Sequence, residues 1–231
     1  MAKTNIYALI MVIIVVSFLG FWIENIFIAS FTGIMNNRNM VLPFLLGYGL
    51  SILAILYLFG TPDEPKFLTK RIYFTTRRRA TLYYFAIAFV CVCIGEIALG
   101  YTIEYTCNII WWDYSRLPFN ITRYTSLFTS LGFAFLITIF SKYMLLPLYN
   151  TFEKIKRSNL KIFSIALVII LSIDMLNSLI YMINNHHLLE IWTFDIKNGF
   201  IQSINNNWLV YFEIMWYNSS VEKIGEISKW S

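Results

Sequence analysis

Residues 81–100 read TLYYFAIAFVCVCIGEIALG, an uninterrupted apolar stretch whose single charge is Glu96. An α-helix rises about 1.5 Å per residue and a bilayer's hydrocarbon core is about 30 Å thick, so about twenty such residues suffice to cross it. Four further stretches meet the same test. They are 5–30, broken only by Glu24 and Asn25; 42–60, charge-free and ended by Gly60-Thr61-Pro62; 125–140, without charge; and 162–183, with Asp174 alone. The expected fold class is therefore all-α: a polytopic helical membrane protein of about five transmembrane helices in a single integral membrane domain over 1–231, with interfacial C-terminal segments.

Composition points the same way. Of 231 residues 58% are hydrophobic and 13% charged, with 20 Phe, 15 Tyr and 7 Trp, and the mean hydropathy is +0.62. That is more apolar surface than one water-soluble core of this length could hide. It excludes a disordered chain and a disulfide-built secreted domain. It also argues against nucleic acid as a partner, although the net charge is +5. Cys91, Cys93 and Cys107 have no metal-ligand or redox spacing and read as small apolar residues.

Positive residues are retained on the cytoplasmic side. Lys66, Lys70, Arg71, Arg77, Arg78 and Arg79 follow the second span, and Lys142, Lys154, Lys156, Arg157 and Lys161 follow the fourth. The alternate loops hold Arg38 in one case and Arg116 and Arg123 in the other. The expectation is a multi-pass cell-membrane protein with its N-terminus cytoplasmic and its C-terminus outside. The first run is too long for a signal-peptide core and has no small-residue cleavage site after Gly20. In the tail, 184–231, the aromatic segments 188–196 and 208–217 are too short to span and read as interfacial, the alternative being a sixth span or re-entrant piece near Trp208. Lys70, Arg71 and Arg77–Arg79 serve either as a topology anchor or as a hold on anionic headgroups.

Ionised groups are costly at membrane depth, so intramembrane acids face a bundle interior or a polar cavity, or are neutral and fix packing. The candidates are Glu24, Glu96, Glu104 and Asp174, with Asn177 three residues beyond the last. Glu96, Gly100 and Glu104 recur every four residues, so both carboxylates and a bare glycine share one helical stripe where a neighbouring helix could approach. All four acids fall toward the outer side. An outward-facing polar lining suited to a cation, a proton or a basic group is the sharpest hypothesis; separate packing roles are the plainer one. Trp111-Trp112-Asp113-Tyr114-Ser115 places aromatics and hydrogen-bonding groups at a membrane exit. They form a belt and cap, or else a lid in which Asp113 accepts from a bound amine or from Arg123.

Other chemistry is sparse. His186-His187 has no third ligand nearby, so no metal is expected. There is no phosphate-binding G-x-x-x-x-G-K-[ST] run, so ATP-driven work would need a separate ATPase or other membrane subunit. G-x-S-x-G and H-E-x-x-H are also absent, no cofactor is expected, and Asn120-Ile-Thr122 is a short glycosylation match.

Two stretches carry a resemblance. Phe18-Leu-Gly-Phe-Trp-Ile-Glu24-Asn, with Asn37-Arg38 and Leu42-Pro43-Phe-Leu-Leu-Gly47-Tyr48-Gly49, resembles the opening of the bacterial family described as "Putative ABC-transporter type IV" membrane proteins, or CmpB-type permeases. Gly95-Glu96-Ile-Ala-Leu-Gly100-Tyr-Thr-Ile-Glu104, then Trp111-Trp112-Asp113-Tyr114-Ser115 and Pro118-Phe119-Asn120, is similar to that family's E-x-x-x-G-x-x-x-E and W-D-Y-S-x-x-P-F-N run. The resemblance covers residues 8–140. Where the family reads N-R-G, this chain has Asn39 for the glycine, and it is shorter before Gly47. What the resemblance implies is transport.

The sequence thus favours a permease-like protein, not an enzyme, that binds or transports a small substrate, with a cation suited to the acids. Glu24, Glu96, Glu104, Asp174, Asn177, Trp112, Asp113 and Tyr114 form the candidate binding set. The alternatives are a membrane-embedded enzyme acting on a lipid or envelope precursor, with two carboxylates as acid and base, and a non-catalytic partner in a membrane complex.

Overall fold

The computed structural model describes residues 5–196 and 200–204. Helix α1, Ile6–Thr32, starts at Asn5, whose side chain accepts the Tyr7 N–H, and stops at Gly33 in the left-handed conformation (φ 76°). A short strand β1, Ile34–Asn36, leads through an irregular segment into α2, Leu46–Phe59. The basic loop forms a two-stranded hairpin, β2 (Lys66–Phe67) with β3 (Lys70–Arg71). Helix α3 runs from Arg77 to Cys107. Arg77–Arg79 are its first turn, not part of the preceding loop.

A second small hairpin, β4 (Asn120–Thr122) with β5 (Thr125–Ser126), leads into α4, Leu127–Ile139. The helix does not end near residue 140 as the hydropathy suggested. It passes through a π-helical turn, Phe140–Met144, and continues as α5, Leu145–Glu153. Pro147 explains the irregularity: it lacks an N–H and crowds the carbonyl four residues back, so the ladder is re-registered just before it. Lys142 therefore lies inside a helix, where its Nζ reaches Thr81 Oγ1 at 3.0 Å. Helix α6 spans Arg157–Asn185.

Among the described residues, α1, α3, the continuous Leu127–Glu153 unit and α6 are long and apolar enough to cross a membrane; α2 is a shorter fifth. The contacts at each end give the arrangement. At one end the Asn5 N–H donates to Tyr149 Oη, joining the start of α1 to α5, and Lys142 meets the start of α3. At the other, β1 pairs antiparallel with β6, Trp192–Asp195, which pairs with β7, Phe200–Ile204. There His186 Nδ1 also lies 2.8 Å from the Cys107 carbonyl, which joins the ends of α6 and α3. So α1, α3 and α6 run one way, and α2 and α4–α5 return. Within residues 188–196, Trp192–Asp195 form strand β6; residues 208–217 lie outside the described residues.

Helix α1 is central and packs on α2, α5 and α6. Val12 and Val16 pack with Ile52 and Leu145 in a core at the middle. Outward-facing side chains on the other helices are apolar: Leu82, Val90 and Ile94 on α3, and Ile162, Phe163, Ile169, Ile173 and Leu176 on α6 are all exposed. A chain whose core holds Ser17, Asn25, Asn37, Asn39, Ser130 and Asp174 while its rim is Leu, Ile and Phe is built for a hydrocarbon surround.

At about 1.5 Å per residue, α2 covers only about 21 Å. The remaining path is residues 40–45, irregular backbone that a lipid-facing surface would not tolerate. Here donors along it are satisfied: Leu45 N donates to the Ser17 carbonyl at 3.0 Å, and the Asp174 carboxylate accepts from Val41 N at 2.9 Å and Leu42 N at 3.0 Å. The same loop is sewn to the tail by buried asparagines. Asn37 Nδ2 donates to the Leu189 carbonyl and its Oδ1 accepts the Ile191 N–H, while Asn39 Oδ1 accepts the Leu189 N–H.

Candidate functional site

The Glu96-x-x-x-Gly100-x-x-x-Glu104 stripe of α3 meets three consecutive residues of the segment before α4. Arg123 Nη1 donates to Glu104 Oε1 at 3.0 Å, Tyr124 Oη donates to Glu104 Oε2 at 2.8 Å, and Thr125 Oγ1 lies 2.6 Å from Glu96 Oε2. Between the acids, the open face of Gly100 takes the Tyr124 ring, so a loop aromatic fills the close approach expected for a neighbouring helix. A Cβ at Gly100 would overlap that ring. Gly100→Val should therefore displace Tyr124 and lower stability by about 1–3 kcal/mol, read as an earlier loss of folded protein on heating in detergent; an unchanged midpoint would rule out the close fit.

Tyr124 is fully buried. Burial first, and then its hydrogen bond to Glu104, push its phenol up to about 12. The hydroxyl therefore stays a donor across the physiological range.

Glu96 Oε2 also lies 2.8 Å from Ser130 Oγ, one turn inside α4. Glu24, from α1, faces the same region. Its Oε1 accepts from Arg38 Nε at 2.9 Å and from Arg38 Nη2, and its Oε2 accepts from Tyr48 Oη at 2.8 Å. Both ends of the Arg38–Glu24 pair are largely enclosed, with side chains 13% and 21% exposed. Glu24 and Glu96 lie within electrostatic reach of one another. Tyr114, half-buried in the loop after α3, feels both carboxylates and the Arg38 guanidinium. Burial, then Glu96 and Glu24, hold its phenol well above the ordinary value of 10.

Of the predicted residues, then, Glu24, Glu96 and Tyr114 share one polar centre, with Glu104 two turns further along the Glu96 stripe. Asp174 is spent on the backbone of residues 41–42, and Asn177 is half-buried one turn beyond it. Trp112 Nε1 donates to the Tyr124 carbonyl at 2.8 Å, which ties the aromatic exit to the Glu104 partner. Asp113 is exposed and accepts the Ser115 N–H at 2.8 Å and the Ser115 hydroxyl. Those bonds hold its carboxyl below the usual range, side chain first and backbone second. It caps a turn, and Arg123 goes to Glu104 instead. Lys70, Arg71 and Arg77–Arg79 are exposed at the opposite end. Among the described residues no group of three or more His, Cys, Asp or Glu could hold a metal.

Arg38, Tyr48, Thr125 and Ser130 were not legible as site residues. The available signals were the resembling stretches Asn37-Arg38-Asn39 and Gly47-Tyr48-Gly49. Arg38 and Asn39 both adopt positive φ, 50° and 63°. Asparagine is among the residues that tolerate this conformation, which explains how Asn39 can stand where the resembling family has glycine.

No curated protein and no solved structure matches the chain. A family model does, over residues 11–179, a stretch that runs from within α1 to within α6 and holds every residue of the polar centre. Membrane-spanning helices and the family match together make this a transport-related membrane protein, and the chain belongs to the family described as "Putative ABC-transporter type IV".

Proposed function

We propose that this chain is the permease-like membrane component of a transport system, a single integral domain with its N-terminus cytoplasmic, and that a small cationic substrate binds at the Glu24–Arg38–Tyr48–Tyr114–Glu96 centre in the outer half. The observation that carries this reading is an imbalance. Glu24 has a guanidinium partner and Glu104 has another, whereas among the described residues the Glu96 contacts are two hydroxyls. An acid at membrane depth without a basic partner is a functional-site hypothesis by default.

The orientation draws on the ends of the bundle. The end bearing β2–β3, the start of α3 and the α5–α6 turn carries Lys66, Lys70, Arg71, Arg77–Arg79, Lys154, Lys156 and Arg157, and the opposite end carries Arg38, Arg116 and Arg123. The basic end anchors topology at anionic headgroups, and a separate ATPase or other subunit would act there.

The test uses Glu96→Gln in the purified full chain, with methylammonium and sodium as separate probes in a binding titration. Wild type should bind at least one of them at least tenfold more tightly than the variant, with equal amounts of folded protein. Equal weak binding by both forms would remove the cation-site reading. It would leave the non-catalytic partner, which the engagement of Glu104 and Asp174 in fixed contacts favours.

A further inference from the structure

Three oxygens around Glu96 form a closed triangle. Glu96 Oε2 lies 2.6 Å from Thr125 Oγ1 and 2.8 Å from Ser130 Oγ, and the two hydroxyl oxygens lie 2.8 Å from each other. Every edge is within the range of an O–H···O hydrogen bond and shorter than two oxygens approach without a hydrogen between them. A hydroxyl carries one proton and a carboxylate carries none. An ionised Glu96 therefore leaves two protons for three edges, and however they are shared, one edge is left bare and repulsive.

A third proton on the carboxyl removes the conflict. The Glu96 carboxyl then donates to Thr125 Oγ1 along the shortest edge, Thr125 donates to Ser130, and Ser130 donates back to Oε2. Each oxygen donates once and accepts once. The surroundings agree. Thr125 and Ser130 are both fully buried. The other charged and titratable groups facing the centre are Arg38 and Tyr48, both spent on Glu24; Tyr114; and, further along α3, Glu104 with Arg123 and Tyr124.

We propose that Glu96 is a proton-binding carboxyl, protonated in this structure, and that a cation entering the centre displaces that proton to solvent. The exchange is one for one in charge: the O–H bond of the carboxyl breaks, the proton leaves to water, and the carboxylate formed pairs with the cation. This deepens the substrate-site reading and rests on it only for the second step.

Infrared difference spectroscopy on the full chain in detergent at neutral pH, without any added substrate, tests the first step. Wild type minus Glu96→Gln should show the carbonyl stretch of a protonated carboxyl, moving on transfer to heavy water. Thr125→Val and Ser130→Ala should each shift that band, because each removes one edge of the cycle. Carboxylate bands in the difference spectrum would overturn the proposal. Should the Gln variant not fold, a protonated-carboxyl band that stays in place in both hydroxyl variants would overturn it equally. The band is a property of the resting protein, so a band present with no cation binding would sink the substrate reading alone, and binding with no band would sink the proton alone. Where both hold, methylammonium or sodium binding in weak buffer should release about one proton per cation, and Glu96→Gln should release none.

Discussion

Arg38→Ala is expected to cost about 1–3 kcal/mol of stability, below the range for a fully buried ion pair because the two side chains keep 13% and 21% exposure. The guanidinium gives Glu24 two donors from one planar group, Nε and Nη2 on the same carboxylate oxygen, and Tyr48 occupies the other oxygen. Without Arg38 the Glu24 carboxylate keeps, among the described residues, a single neutral donor, Tyr48 Oη. Glu24 and Arg38 must then be tested together. Glu24→Gln in the Arg38→Ala background should recover most of the loss, because the buried charge is gone and the amide can still accept from Tyr48. The measurement is the midpoint of unfolding in a denaturing-detergent titration, across the double-mutant cycle. An Arg38→Ala midpoint equal to wild type would show that water or solvent ions already compensate Glu24. A double variant no better than Arg38→Ala would show that Arg38 acts through the loop rather than through the carboxylate.

How far these interactions could be read from sequence depends on their distance along the chain. The helices were legible because crossing a bilayer sets a length and a composition, and 81–100 or 162–183 satisfies both whatever its neighbours do. The Glu96–Gly100–Glu104 stripe was legible too, since helical spacing alone puts the three on one face. Its partners were not. Arg123, Tyr124 and Thr125 lie in an irregular segment and a short strand, where no periodicity tells which way a side chain points, and Tyr124 filling the Gly100 gap is a matter of shape. Arg38 registered as one charge in a topology count and as part of the Asn37-Arg38 resemblance, and neither pairs it with Glu24. The strand at Trp192–Asp195 pairs with Ile34–Asn36, over 150 residues earlier, and nothing local marks it. Two boundaries did carry a missed signal. Leu42 precedes Pro43, which pushes a residue out of the helical region, so α2 had a reason to start late. After Lys142 the run Leu145, Leu146 and Leu148 is apolar again, and a lysine's long stem lets a helix continue past it.

That late start of α2 is what makes Asp174→Ala the second large effect. Asp174 is 7% exposed, and its carboxylate serves two backbone donors, Val41 N and Leu42 N, on the non-helical segment that completes the α2 crossing. Each orphaned buried donor costs about 1–3 kcal/mol, so losing both partners at once should cost about 2–6 kcal/mol. In hydrocarbon surroundings water cannot readily take over. Asp174→Asn discriminates this role from a charge role. Its Oδ1 can accept one of the two N–H groups while its amide nitrogen cannot accept the other, so it should fall between wild type and Asp174→Ala in unfolding midpoint. If charge mattered instead, as for a residue that binds a cation, Asp174→Asn would lose cation binding outright and keep its stability. Amide hydrogen exchange locates the damage: Val41 and Leu42 should lose protection in Asp174→Ala while the α3 stripe at Glu96 keeps its own. A uniform loss over both regions would mean that the loop and the polar centre unfold as one unit, and that Asp174 contributes to the site through the fold rather than beside it.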